Sequence, residues 1–129
     1  VDTLQSRGIS VNGCFILGLD GQTPEVFPTL LEAVRSSGLA EVQYTVLTPF
    51  PATPLHERLK REGRLLADGA WDRCTLFDVN FKPRDMSVAA LETGLAWLMK
   101  ETYSAAATSA RIRSFVGQRN LYRKGAVQC

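Results

Sequence analysis

The chain has 129 residues, of which 45% are hydrophobic and 22% are charged, and its formal net charge is +2. This composition excludes a disordered tail and is typical of one folded domain with its own core. The three cysteines are far apart and form no CxxC pair, so neither a disulfide framework nor a zinc site is indicated. Because there is no apolar stretch of about 20 residues and no signal-peptide pattern, we expect a cytoplasmic protein without a membrane span.

The first residues have the pattern of the last turns of a helix that ends at Gly8. The sequence begins with Val1, and Met86 is its first methionine. A helix without its beginning suggests a fragment. We therefore expect this chain to be the carboxyl-terminal part of a longer protein.

Two successive βα units are predicted next. Residues 11–17 and 42–47 each have the pattern of a strand, and each is followed by a helix that starts at a Thr-Pro pair, Thr23-Pro24 and Thr53-Pro54. The two pairs are 30 residues apart, which is about the length of one βαβ unit. The strands should therefore be parallel neighbours with a right-handed crossover, in an α/β barrel or a doubly wound sheet.

The remainder of the chain is predicted to be mostly helical. Residues 75–81 are expected to form an extended edge segment. Ser87 is a candidate helix cap, and the leucines after it predict a long amphipathic helix that reaches about Tyr103. One more helix is expected on the last segment.

Basic residues are concentrated at the carboxyl end. Residues 102–129 contain no acidic residue, and their five basic residues are Arg111, Arg113, Arg119, Arg123 and Lys124. Such a segment can bind nucleic acid or an acidic partner, but a solvated charged face is the commoner explanation. Nucleic-acid binding therefore stays open only as the weaker alternative.

The loop after the first strand is a candidate ligand site, because ligands of parallel α/β proteins lie at the carboxyl ends of the strands. Gly18 and Gly21 let the backbone approach a ligand, and the amides at the helix start are available to an anion. Asp20 is the carboxylate best placed to contact a ligand. A tight turn explains the same residues equally well, so both interpretations stay open.

The predicted strands also alternate between polar and apolar residues. The side with polar members consists of Asn12, Cys14, Ile16 and Gly18 in the first strand, and of Gln43 and Thr45 in the second. A strand covered by helices on both sides should be apolar on both faces. The polar side therefore indicates a barrel lumen that holds a ligand, with exposure at a sheet edge as the alternative.

No familiar set of catalytic residues is present. His56 is the only histidine, and its position in the first turn of a helix predicts a surface residue. Cys14 lies within a strand and is expected to be a small core residue rather than a nucleophile. The prolines of residues 48–54, Pro49 among them, indicate a rigid connection first and the wall of a pocket second.

Two segments resemble the radical S-adenosylmethionine enzymes, most closely those with an amino-terminal cobalamin-binding domain. They are residues 14–24 (CFILGLDGQTP) and residues 48–59 (TPFPATPLHERL). The stretch from Trp71 to Pro83 and the helix after Ser87 also fit the carboxyl-terminal region of these enzymes. Cys14 and Ala52 stand where the family usually has glycine.

The resemblance implies a fold: the last two βα units of a partial (β/α)6 TIM-like barrel in residues 1–66, and a mostly helical extension in residues 67–129. It places the fifth-strand motif of the family near the adenine of S-adenosylmethionine. The candidates for cofactor binding are Cys14, Ile16, Gly18, Asp20, Gly21, Thr48 and Pro49. The candidates for the substrate side are Asn12, Gln43 and Thr45.

The resemblance also implies cofactors and partners. The family uses S-adenosylmethionine, a [4Fe–4S] cluster held by a CxxxCxxC loop and, in the closest members, cobalamin. The loop is absent from these 129 residues, so we expect an enzyme as the parent protein and an inactive chain by itself. The expected partners are the preceding part of the barrel and a small-molecule substrate. The alternatives are a non-catalytic α/β interaction module with a basic tail and a phosphate-binding α/β domain.

Overall fold

A computed structural model describes residues 1–67 and 71–126. In chain order, the helices and strands of these residues are α1 (Asp2–Gln5), β1 (Asn12–Leu17), α2 (Val26–Ser36), β2 (Glu41–Val46), α3 (Pro54–Arg61), a 3₁₀ turn (Trp71–Arg73), α4 (Val88–Thr102) and α5 (Ala105–Ala126). The order confirms the two predicted βα units and the helical remainder.

The two strands pair with each other in a two-stranded sheet. The amide of Glu41 donates to the carbonyl of Val11 at 3.2 Å, and the amide of Leu47 donates to the carbonyl of Leu17 at 2.8 Å. The partners are offset by the same 30 residues at both ends, so the strands are parallel, as predicted. The described chain is therefore a mixed α/β fold, and two strands alone do not establish a barrel.

Helix α2 starts at Val26, two residues later than Pro24, the first helical residue that the Thr-Pro pair predicts. Thr23 donates its hydroxyl to the Glu25 carboxylate instead of capping the helix. The late start places Pro28 in the first turn, where a backbone N–H has no partner within the helix and its absence costs little. The proline thus explains the position of the helix start.

Caps predicted from the sequence begin the next two long helices. The Thr53 hydroxyl accepts from the amide of His56 at 3.3 Å at the start of α3. The Ser87 hydroxyl accepts from the amide of Ala90 at 3.0 Å at the start of α4. Both bonds satisfy an amide that has no partner inside its helix.

The structure differs from the prediction in the extended segment. Residues 75–81 form no named strand in the described chain, and Phe81 makes only an isolated antiparallel bridge with Leu65. Leu76 has a φ of 70°, a left-handed conformation that interrupts an extended backbone. The segment still contacts the sheet, because the Leu76 carbonyl accepts from the amide of Val46 at 2.7 Å.

Contacts divide the described chain into two compact units. The first contains Val1–Phe15, Phe27–Gln43 and the described residues from Trp97 onward. Its fully or nearly buried apolar residues are Phe27, Leu31, Val34, Leu39, Val42 and Leu98. Gln5 is also buried, and its amide bonds to the carbonyl of Gly38, the amide of Ala40 and the side chain of Gln118. These bonds offset the loss of water around a buried polar group.

The second unit contains Ile16–Val26 and the described residues of Tyr44–Ala96. Its buried apolar residues are Leu17, Tyr44, Val46, Leu59, Val79, Phe81, Leu91 and Leu95. The units follow from contacts, so the division of the chain after residue 66 stays a prediction. None of the helices in the described part of the chain is long and apolar enough to cross a membrane.

Candidate cofactor-binding strand and loops

The outer side of β1 is exposed, as the alternation predicts. Asn12, Cys14 and Ile16 are exposed, whereas Phe15 is half-buried and Leu17 is fully buried. The expectation of Cys14 as a small core residue was therefore wrong, because Cys14 lies on the outer side of the strand. Ile16 keeps 50% of its surface accessible, which is unusual for a branched apolar residue in a strand next to a core. The strand therefore presents an apolar side chain at its carboxyl end.

The same alternation occurs in β2. Val42, Tyr44 and Val46 are buried, whereas Gln43 is exposed and Thr45 is half-buried. Cys14 lies beside Gln43, with 3.8 Å between Sγ and Oε1. The structure thus brings together one predicted cofactor-binding residue and one predicted substrate-side residue.

Gly18 departs from this alternation, because it lies just beyond the end of β1. Its φ is +89°, and a Cβ atom built on it would lie 2.9 Å from Cζ of Phe81 and 3.0 Å from Cδ2 of Leu91. Both distances are too short for ordinary contact. Packing against these two side chains and a left-handed backbone therefore require glycine at this position.

The amides of the loop after β1 already have partners within the chain. The side-chain oxygen of Gln22 accepts from the amides of Gly18 and Leu19 at 2.8 and 3.1 Å. A carboxylate oxygen of Asp85 accepts from the amide of Gly21 at 2.7 Å. These contacts argue against the phosphate-binding alternative, because a bound anion would have to displace acceptors that belong to the chain.

Asp20 is the centre of an ion-pair cluster. Its carboxylate lies 3.1 Å from Nη1 of Arg58 and 2.9 Å from Nη2 of Arg64. Arg64 also bonds to the Glu62 carboxylate at 2.9 Å and to the Lys82 carbonyl at 2.8 Å. Asp20 therefore ties the loop to residues near the end of α3, and two positive charges already neutralise it.

The hydrogen bond from Arg64 holds the pKa of Asp20 below its ordinary value, and the positive charges of Arg64, Arg58 and Arg84 act in the same direction against the effect of burial. A depressed pKa stabilises the fold above the ordinary value of about 3.9, and this contribution is lost as the pH falls through the lowered pKa. Asp20→Asn should therefore reduce stability at neutral pH and flatten its decline in acid, as measured by urea midpoints from pH 6 to pH 2.

Two variants of the partners complete this test. Arg64→Gln should flatten the acid limb more than Arg58→Gln, because Arg64 supplies the larger effect on the pKa of Asp20. The Arg58 side chain is also more exposed, at 43% against 14% for Arg64, and solvent weakens its attraction. Identical pH profiles for Asp20→Asn and the unmodified chain would contradict the assignment.

The loop after β2 presents little side-chain surface. Thr48 is 7% exposed and donates its hydroxyl to the Val46 carbonyl at 3.0 Å, and Pro49 is buried. Ala52 has a φ of 60°, the left-handed region that favours glycine. Glycine would adopt this conformation without the strain that a Cβ atom brings.

His56 is less exposed than its place in the first helical turn predicts. Only 13% of its side chain is accessible, and it lines a cavity of about 10 Å³ with Cys74 and Asn80. This volume admits about one water molecule. The expectation of a surface histidine was therefore wrong. Prolines of the loop after β2 line the same cavity and lie beside the His56 side chain.

Metal ligands are not clustered in residues 1–67 and 71–126, where no group of three or more His, Cys, Asp and Glu side chains is placed to hold an ion. The cysteines in these residues are Cys14 and Cys74, and Cys129 lies outside the described residues. The described chain therefore does not fit a [4Fe–4S] cluster, which needs three or four thiolates.

Comparison with known proteins identifies the family. Residues 53–128 match the family described as "Domain of unknown function (DUF4070)". The match covers more than half of the chain, so the chain belongs to this family, a carboxyl-terminal domain of cobalamin-binding radical S-adenosylmethionine methylases. The resemblance recognised in the sequence is thereby confirmed.

Two curated relatives agree with this assignment. The chain is 43% identical over 68 residues to the hopanoid C-2 methylase of Rhodopseudomonas palustris (strain TIE-1), a match that covers 53% of the chain and 13% of the relative. It is 26% identical over 113 residues to the bacteriochlorophyllide d C-12(1)-methyltransferase of Chlorobaculum tepidum, a match that covers 88% of the chain and 24% of the relative. The chain thus spans at most 24% of the length of these relatives.

Sequence reasoning missed Gln22, Asp85, Arg58 and Arg64, which together hold the loop after β1. Gln22 gives a weak local signal, because a side-chain amide a few residues after a glycine turn can bond back to the turn. Asp85, Arg58 and Arg64 give no local signal of this kind, because they are distant from the loop in the sequence.

Proposed function

We propose that this chain is part of a cobalamin-dependent radical S-adenosylmethionine methyltransferase and that β1 forms the wall beside the adenine of S-adenosylmethionine. The observation that carries the proposal is the exposed Ile16 at the carboxyl end of a parallel strand. This end of a strand is where parallel α/β proteins bind ligands.

The residues of the strand fit an adenine ring. Ile16 offers an apolar surface of the kind on which a purine packs, and burying a half-exposed isoleucine under a ring is favourable. The carbonyl of Ile16 is held by the side-chain amide of Gln22 at 3.3 Å, so the backbone there is fixed before a ligand binds. When bound, S-adenosylmethionine together with a reduced iron–sulfur cluster supplies the radical chemistry.

The cluster ligands and the residues that hold cobalamin belong elsewhere in the parent protein under this proposal. In the described chain, residues around Ile16 bind and orient, and no step of proton or electron transfer is assigned to them. Asn12, Gln43 and Thr45 line the substrate side, where amides and a hydroxyl suit polar groups of a small molecule.

The open edge of β1 is the place where the preceding strand of a partial barrel would pair. The carbonyls of Val11 and Leu17 accept from β2, so the backbone groups of Asn12 and Cys14 point to the opposite edge. Within the described residues the sheet has only two strands, and none of these residues forms a strand that pairs with this edge. A strand from the preceding part of the protein would satisfy these groups.

The test uses the longer protein that contains this chain, reconstituted with its iron–sulfur cluster. Ile16→Ser should weaken the binding of S-adenosylmethionine about tenfold, because the apolar contact with the ring is lost, while the iron content stays constant. Leu66→Ser is the matched control, since Leu66 is exposed to 39% in the same unit, and it should leave the affinity unchanged.

Two outcomes would count against the proposal. Unchanged affinity in a folded Ile16→Ser protein would remove β1 from the cofactor site. Absence of any S-adenosylmethionine binding by the longer protein would favour the non-catalytic interaction module instead.

A further inference from the structure

A cleft of about 510 Å³ lies in the first unit, at the amino-terminal ends of β1 and β2. Asn12 is the first residue of β1, and Glu41 is the first residue of β2. The residues that line the cleft and matter here are Asn12, Glu41, Gln43, Tyr103 and Arg111. Ile16 and the loop after β1 lie at the opposite end of the strand. The cleft shares Asn12 and Gln43 with the substrate side, so for these two residues the inference rests on the proposed function, whereas anion binding by the cleft is measured separately from the affinity for S-adenosylmethionine.

Arg111 of α5 is held in one orientation by three contacts. Its Nη1 donates to the Thr102 carbonyl at 2.6 Å, and its Nη2 lies 3.4 Å from the Thr108 hydroxyl. The centre of the guanidinium group lies 5.8 Å from the centroid of the Tyr103 ring, within the range of a cation–π interaction. The guanidinium is therefore preorganised before it meets a ligand.

None of these partners is an acid. By contrast, Arg35, Arg58 and Arg64 each have a carboxylate within 3.4 Å. A guanidinium group has five N–H donors, and two of those of Arg111 are used within the described chain. A half-buried Arg111 with a rigid planar fork and no counterion among the described residues attracts an oxyanion.

Neutral donors lie in the same cleft. The side-chain oxygen of Gln43 faces the thiol of Cys14 at 3.8 Å, which leaves its NH₂ group for a ligand. Asn12 contributes a second side-chain amide. Glu41 is exposed and lines the same cleft, so its charge opposes an anion, and water weakens this repulsion without abolishing it.

We propose that this cleft binds an oxyanion, a carboxylate or a phosphate group, through the guanidinium of Arg111 with Asn12 and Gln43 as neutral donors. The oxyanion has two possible sources with one chemistry: a free small molecule, or an acidic side chain of the longer protein. The planar guanidinium group beside amide NH₂ groups suits a carboxylate and a phosphate alike, because each of these anions presents adjacent oxygen atoms.

The experiment is a titration of the 129-residue chain with sodium phosphate and, separately, sodium acetate at constant low ionic strength, followed by ¹⁵N NMR. Saturable shifts are expected for the side-chain NH₂ signals of Asn12 and Gln43 and for Nε of Arg111. The anion with the lower dissociation constant identifies the preferred group. No saturable shift with either anion would overturn the proposal.

Variants distinguish binding of the anion at a specific site from general electrostatic attraction of the anion to the basic helix α5. Arg111→Gln should weaken binding at least tenfold, since a charge-assisted hydrogen bond is lost, and Arg113→Gln, an exposed residue of the same helix, should change it less than twofold. Glu41→Gln should strengthen binding, because a repelling charge is removed. Equal weakening by the two arginine variants would overturn the proposal.

Arg111→Gln also removes the bond to the Thr102 carbonyl, so the fold of each variant is checked by thermal unfolding. If Arg111→Gln does not fold, Gln43→Ala and Glu41→Gln must still shift the affinity in opposite directions. In the longer protein, retained phosphate binding identifies a free ligand, whereas its loss, recovered when the acidic partner is removed, identifies an internal carboxylate.

Discussion

Phe81→Ala should lower the free energy of unfolding by about 3–5 kcal/mol, the usual range for a buried aromatic side chain. Phe81 is completely buried in the second unit, and Cζ of its ring would lie only 2.9 Å from a Cβ atom built on Gly18. Its backbone also bridges to Leu65. Removal of the ring would leave a cavity under the loop that Gly18 begins, and urea denaturation of the chain followed by circular dichroism measures the loss.

Phe77→Ala is the matched control for this prediction. Phe77 lies four residues earlier in the same segment and keeps 52% of its surface exposed. Its truncation should change the free energy of unfolding by less than about 0.5 kcal/mol. Similar losses for Phe77 and Phe81 would show that the ring of Phe81 is not part of the core.

Gly18→Ala should lower the free energy of unfolding by about 2–4 kcal/mol, from two separate causes. The φ of +89° penalises any residue with a Cβ atom, and that atom would lie 2.9 Å from the Phe81 ring. The Phe81 ring, the Leu91 side chain or the backbone would have to move in a packed interior. Thermal and urea unfolding of the variant measure the combined effect.

Gly21→Ala isolates the backbone strain at a positive φ, which is the first of the two causes. Gly21 has nearly the same φ, +88°, but no heavy atom lies within 4 Å of its built Cβ. We expect a loss of about 1 kcal/mol from backbone strain alone. If the two alanine variants lose the same stability, the crowding at Gly18 has no energetic effect. Phe81→Leu should also reduce the effect of Gly18→Ala, since neighbouring substitutions are not additive.

The local elements could be predicted because their signals are local. Thr53 and Ser87 mark helix starts by their own hydroxyl groups, and the 30-residue spacing of the Thr-Pro pairs equals the register offset of the strands. The start of α2 was predicted too early because Thr23 bonds to Glu25. A threonine hydroxyl near an acidic residue can either accept from a backbone amide of the helix or donate to the neighbouring carboxylate. The sequence does not decide between these two hydrogen bonds.

The details of the candidate site could be predicted only in part. Alternation places Ile16 and Gln43 on the exposed side correctly, because it follows from strand geometry. The contacts of Asp20 with Arg64 and of Gly21 with Asp85 join residues 44 and 64 positions apart. Pairs at such separations depend on tertiary packing, so no local pattern predicts them.

The two edges of the sheet differ in a way that governs how copies of this chain can meet. On the outer edge of β2, the Tyr103 hydroxyl donates to the Val42 carbonyl and the Val46 amide donates to the Leu76 carbonyl. Among the described residues, the edge of β1 is therefore the sheet edge that stays open for strand pairing between molecules. When the β1 edges of two copies pair, both edges are occupied and the two copies form a dimer with twofold symmetry. Within the described part of each chain, no open strand edge is then left on which further copies could add to form a fibre.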